Sequence, residues 1–153
     1  MKQIKIFLML SVLLVITDSC SVTTTLYYWG GKTGMDSYTS KYEQLSYDMY
    51  KKQTPEVLCS MLCVYEDMVK YPAGQRQVPP PGICAEYAYY LSLPETAETF
   101  ANHATNRQKR TYKAYDYATF FPQYAKQLFE KEMSLYPESV HFIKPLLERL
   151  LQQ

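Results

Sequence analysis

The chain has 153 residues, of which 47% are hydrophobic and 20% charged, and its formal net charge is +1. That length suits one domain with a single core, in the usual range of ~50 to 200 residues. The near-neutral balance supplies no extended footprint for nucleic acid and no strong field to steer charged substrates, so nucleic acid is set aside as a partner. Sixteen tyrosines against six phenylalanines is the compositional oddity.

At the start of the chain, Lys2 and Lys5 precede an apolar run from Ile6 to Ile16. The run is too short to cross a hydrocarbon core of ~30 Å as a helix, and it reads as a signal-peptide core within residues 1–19. It ends in Thr17-Asp18-Ser19-Cys20, where a small residue directly before a cysteine resembles the lipobox of bacterial lipoprotein precursors. Asp18, and Thr17 where leucine is usual, depart from that pattern. The expectation is lipidation of Cys20; the alternative is ordinary secretory cleavage nearby, with Cys20 a plain thiol. More than one acyl chain, at ~0.8 kcal/mol per buried methylene, anchors a protein stably. Ser21 after the cysteine predicts delivery to the cell outer membrane, lipid-anchored on the periplasmic side.

Residues 20–36 form the tether and an aromatic-glycine motif, Leu26-Tyr27-Tyr28-Trp29-Gly30-Gly31. Gly31-Lys32-Thr33 suggests a phosphate-binding loop, but that loop needs a glycine five residues before its last one, and Leu26 stands there. The plainer reading has Tyr27, Tyr28 and Trp29 fold back onto the helices.

Residues 37–153 read as an all-α domain of helical period. Tyr38, Tyr42, Leu45 and Met49 form one stripe of a helix from about Ser37 to Tyr50. Thr54-Pro55-Glu56 supplies a cap, a first-turn proline and an acidic first turn for a second helix. Its buried face holds Leu58, Met61, Leu62, Tyr65, Met68 and Val69. Pro79-Pro80-Pro81 predicts an extended polyproline spacer before Gly82, and a third helix from Ile83 to about Leu91 gathers Ile83, Tyr87, Tyr90 and Leu91. From Thr96 to Ala118 the chain is polar, with Arg107, Lys109 and Arg110 followed by Tyr112, Tyr115 and Tyr117. Such a stretch binds a partner or anionic headgroups, or is a solvated face. Ala125, Phe129 and Pro137 are spaced as in a tetratricopeptide repeat, with Glu132 where a small residue is expected. In the final helix Pro145 predicts a kink or interruption.

Cys59, Cys63 and Cys84 would face an oxidising envelope. Cys59 and Cys63 share one helical face, so a disulfide from Cys84 to either is one reading, and buried free thiols are the other. Cys-x3-Cys with one further cysteine matches no usual zinc pattern, and no metal or other cofactor is expected. Catalytic residues are not expected either. The only histidines are His103 and His141, neither Gly-x-Ser-x-Gly nor His-Glu-x-x-His occurs, and Glu66 and Asp67 point to different sides of a helix.

Three segments carry a resemblance to a family of small bacterial lipoproteins known as a domain of unknown function. They are Leu26 to Gly31, Pro80-Pro81-Gly82 leading into Ala85-Glu86-Tyr87-Ala88-Tyr89, and Phe129-Glu130-Lys131-Glu132 through Tyr136-Pro137-Glu138-Ser139. The resemblance implies an outer-membrane lipoprotein with tetratricopeptide-like helical hairpins, encoded beside a CsgG-type pore-forming lipoprotein. An insert of roughly Pro94 to Ala118 departs from the family pattern and becomes the most individual surface. The leading functional expectation is a non-enzymatic adaptor or assembly factor for an envelope complex such as a CsgG-type pore. Its partners would be the membrane, through the anchor, and envelope proteins. A regulator of cell-wall synthesis and an envelope enzyme are the alternatives. Candidate contact residues are Tyr27, Tyr28, Trp29, Arg107, Arg110, Tyr112 and Tyr115.

Overall fold

The computed structural model describes residues 26–27, 38–114 and 116–150. The signal peptide, Cys20, Tyr28, Trp29 and Tyr115 lie outside them. The described residues form an all-α fold of seven helices and one 3-10 turn. These are α1 (Tyr38–Lys51), α2 (Pro55–Lys70), α3 (Ile83–Ser92), α4 (Thr96–His103), α5 (Asn106–Lys109), α6 (Tyr117–Leu135), the turn Pro137–Ser139 and α7 (Val140–Leu150).

Local chemistry sets the helix starts. Thr54 is extended at the N-cap of α2, Pro55 fills a first-turn position whose N–H would have no helical partner, and Glu56 complements the positive end of the dipole. Thr105 and Gln108 form a reciprocal capping box on the single turn of α5. The Asp116 carboxylate accepts from the N–H groups of Ala118 and Thr119 at the start of α6. The triple proline does more than space helices. Ile83 N–H donates to the Pro80 carbonyl at 3.2 Å and Gly82 sits at φ 88°, ψ −23°, so Pro81-Gly82 is the centre of a type II turn that opens α3. A side chain at Gly82 would meet nothing within 4 Å, so the positive φ alone calls for glycine there.

Helix α2 is the hub, touching α1, α3, α4 and α5, while α3 packs most extensively on α6. The second and third helices bury the faces expected of them, Met61, Leu62, Tyr65, Met68 and Val69 on one and Ile83, Tyr87 and Leu91 on the other. Ala125 and Phe129 of α6 are each 1% exposed, so a small residue and an aromatic meet α3 at the centre of the molecule.

Two expectations are corrected. The segment from Pro94 to Ala118, expected as a polar surface, also supplies core: Phe100 on α4 is fully buried and meets Tyr112, Tyr117 and Phe121 edge-on at centroid distances of 5.1, 5.1 and 5.5 Å. Its polar sequence hides this because a single large aromatic is enough to seat a helix of eight residues. Nor does Pro145 interrupt the last helix, which runs through it from Val140 to Leu150. Pro145 lies on the exposed side, where water can satisfy the carbonyl that loses its helical donor.

Candidate partner-binding groove

The excess of tyrosine over phenylalanine has a structural use: phenols converge on two carboxylates, one buried and one at the surface. Glu66 of α2 is 3% exposed, and its Oε2 accepts from Tyr87 of α3 at 3.0 Å and Tyr124 of α6 at 2.9 Å. Its Oε1 pairs with Lys70 one turn along at 2.6 Å, so a half-exposed cation balances a charge held inside. Tyr112 stands 2.5 Å from the Tyr87 hydroxyl and 3.0 Å from the Leu62 carbonyl. One proton per hydroxyl makes the consistent order Tyr112 to Tyr87 to Glu66, with the Leu62 carbonyl as the alternative acceptor for Tyr112. Burial, then Tyr112 and Glu66, hold Tyr87 far above the usual phenol range, and burial, then Glu66, does the same for Tyr124. These hydroxyls stay protonated and donate.

A second carboxylate is built the same way but at the surface. Glu86 of α3 is exposed, and its Oε2 accepts from Tyr42 of α1 at 2.9 Å and Tyr65 of α2 at 2.8 Å. Burial and the Glu86 charge push the Tyr42 phenol up to about 12. The Tyr65 ring stacks on Tyr87 and Tyr90 at 5.5 and 6.0 Å and meets Tyr42 edge-on at 5.9 Å. Three helices are thereby clamped around one carboxylate.

This clamp lies in an open groove of about 1020 Å³. Residues of α1 and α2, among them Met49 and Leu58, form one side; Tyr89 and Tyr90 form the other, with Leu146 of α7 at the rim. Tyr50 and Tyr89 are 83% and 51% exposed, so large aromatic area is open to solvent at its edges. Exposed aromatics around a concave, mostly apolar wall are the chemistry of a protein-binding surface.

The residues expected to bind a partner are dispersed. Tyr27 accepts from Arg76 Nη1 at 3.0 Å, and Arg76 N–H bonds the Leu26 carbonyl at 3.1 Å, so this part of the aromatic motif folds back onto the α2–α3 connection. Arg107 and Arg110 are exposed. Arg110 shares a shallow basic cavity of about 670 Å³ with Lys109 and Lys113, away from the tyrosine groove. Tyr112, expected at the surface, is instead 3% exposed and part of the Glu66 network, because its hydroxyl reaches the core donors and acceptors that a surface tyrosine would leave to water. Tyr28, Trp29 and Tyr115 lie outside the described residues.

Cys59, Cys63 and Cys84 are free thiols, so the bridge considered for Cys84 is not formed. The geometry explains it: Cys59 turns toward the Thr99 carbonyl of α4 and Cys63 toward Thr111, while Cys84 faces the α6 residues Lys131 and Glu132. Burial pushes Cys59 and Cys63 up to about 11 and Cys84 up to about 12. Among the described residues, no group of three His, Cys, Asp or Glu side chains could hold a metal. His103 sits 3.8 Å from Glu56 with both side chains exposed, and His141 lies on the exposed face of α7 beside Phe142. Glu66 is buried whereas Asp67 is half-buried, as their adjacent positions on a helix require.

The groove residues Tyr42, Tyr65 and Tyr90 were all expected, but as parts of three separate helix stripes. Only the surplus of tyrosine over phenylalanine hinted that their hydroxyls had a common target. No protein-family model matches the sequence, and neither a curated protein nor a solved structure matches it.

Proposed function

We propose that this protein is a non-enzymatic adaptor or assembly lipoprotein, anchored through acylated Cys20 in the outer membrane and facing the periplasm. It docks an envelope partner, such as a CsgG-type pore, in the tyrosine groove. The observation that carries this reading is the groove itself: an open apolar channel across several helices, edged by tyrosines exposed by half or more. Tyrosine joins large contact area to few rotatable bonds, which makes such rims favourable for protein partners. Tetratricopeptide-like pairing of α3 with α6 belongs to the same reading and would make the groove the concave face of a helical array. The described residues contain no helix long and apolar enough to cross a membrane, and the attachment proposed is the lipid at Cys20.

The test has two arms. The full-length protein should incorporate labelled acyl chains and sediment with outer membranes, and Cys20→Ala should release it. Membrane association unchanged by that substitution would reject the anchor. In envelope extracts, a co-purifying pore lipoprotein should be lost with Tyr89→Ala while the melting temperature stays within a few degrees of the parent's. A partner retained by Tyr89→Ala would remove the groove from the proposal.

A further inference from the structure

The chemistry of the groove is one-sided. Among the described residues, Glu86 and Glu95 are the charged ones in its wall, and no lysine, arginine or histidine lines it. The Glu86 carboxylate is held in a fixed orientation by the two phenols on Oε2, and Oε1 receives no hydrogen bond from the described residues. The half-buried rings of Tyr42 and Tyr90 each lie against the buried Tyr65 ring, at centroid separations from it of 5.9 and 6.0 Å, and the exposed Tyr89 meets Tyr90 edge-on at 5.6 Å. An oriented anion with a vacant acceptor, flanked by electron-rich aromatic faces, favours a planar cation that can bond the oxygen and lie against a ring. Apolar wall residues such as Met49 and Leu58 would cover the aliphatic stem and its neighbours.

We propose that the occupant of the groove is a partner-protein segment carrying an arginine among apolar residues, its guanidinium bonded to Glu86 and set against the tyrosine rings. This deepens the adaptor reading and rests on it. Charge complementarity selects the occupant: an acidic segment would meet Glu86 and Glu95 as like charges, and a purely apolar one would leave the Glu86 oxygen to be stripped of water without replacement.

Selection of random twelve-residue peptides displayed on phage against the full-length protein tests this. Enriched peptides should carry an arginine flanked by apolar residues. Synthesised with citrulline in its place, they should bind ~10-fold more weakly, the loss expected when a charge-assisted hydrogen bond becomes a neutral one. Glu86→Gln keeps an acceptor for both phenols and removes the charge, so it should bring arginine and citrulline peptides to within about twofold of each other. Should Glu86→Gln fail to fold, Tyr89→Ala at the rim must weaken the arginine peptide at least severalfold. Enriched peptides that lack a basic residue yet are weakened by Tyr89→Ala would overturn the arginine inference and leave the docking groove standing. An arginine preference that persists in Glu86→Gln would overturn it as well. Enrichment of no peptide at all would overturn both the inference and the groove on which the adaptor reading rests.

Discussion

Among single residues, the two carboxylates that receive phenols make opposite demands on the protein. Glu66 is enclosed, so each donor removed leaves charge that water cannot reach, whereas Glu86 is exposed and water can replace a lost phenol. Tyr87→Phe should therefore cost ~1.5 to 3 kcal/mol, the range for a hydrogen bond to a charged group, and Tyr42→Phe less than about 1 kcal/mol. Urea denaturation of the two variants checks this; equal losses would show that burial does not separate the two sites. Glu132 offers a pH test. It is 1% exposed and its Oε1 accepts from the Gly82 N–H at 2.7 Å, so α6 caps the first turn of α3 across the core. The expected small residue at this position is replaced by a long one that reaches the open helix end. Oε2 has no partner among the described residues, and burial, opposed by the backbone N–H groups of Gly82, Cys84 and Ala85, holds the carboxyl above its ordinary 4.5. A carboxyl raised on folding binds its proton more tightly in the native state. Its contribution to stability is therefore full below the unfolded value and is lost as pH rises through the folded one. Glu132→Gln lacks that loss, so its melting temperature relative to the parent should rise between pH 4 and pH 7. A constant difference across that window would exclude a raised carboxyl.

Single helices show how a polar-looking segment becomes part of the core. Helix α4 has eight residues and one large apolar side chain, Phe100, and alone it would be marginal. Packing against α2 and α6 stabilises it: Phe100 is surrounded by three aromatic rings from the following segment, and Thr96 bonds the Tyr90 carbonyl at 2.7 Å to tie the α3–α4 corner. Phe100→Ala should cost ~3 to 5 kcal/mol, as should Phe129→Ala at the α3–α6 contact. Deleting Thr96 to Ala118 should abolish cooperative unfolding, because it removes Phe100 and Tyr112 together and exposes the faces of α2 and α6 that they cover. A sharp thermal transition in the deletion protein would show that the segment is an appendage. Gly82→Ala should be milder, about 1 to 2 kcal/mol, since only the left-handed backbone resists the methyl group and nothing lies within reach of it.

For the molecule as a whole, the three internal thiols report on the integrity of one core. Cys59 and Cys84 are fully buried and Cys63 partly so, and burial lifts all three thiols above the ordinary value of 9.0, to about 11, 12 and 11 in that order. Since the thiolate is the reactive form, iodoacetamide at pH 8 should modify the folded protein slowly and the urea-unfolded protein quickly at all three positions. Rapid labelling of Cys59 or Cys84 in the native state would mean that the helices around α2 part easily. What the sequence determined by itself is everything that depends on neighbours along the chain. Apolar spacing placed α1, α2 and α3 and chose their buried faces, and Thr54-Pro55-Glu56 marked where α2 begins. Pro79-Pro80-Pro81 and Gly82 marked the connection before α3, though not the turn that the chain makes there. Only the tertiary structure decided which helices meet. Hydrogen bonds over 21, 44 and 58 residues of chain gather the tyrosines on Glu66 and Glu86, and such pairings leave no periodic trace. The same holds for Tyr112 and Phe100, whose polar surroundings in sequence read as surface. Burial is a property of what packs above a residue, and here that cover comes from α2 and α6, elements that local spacing does not bring together.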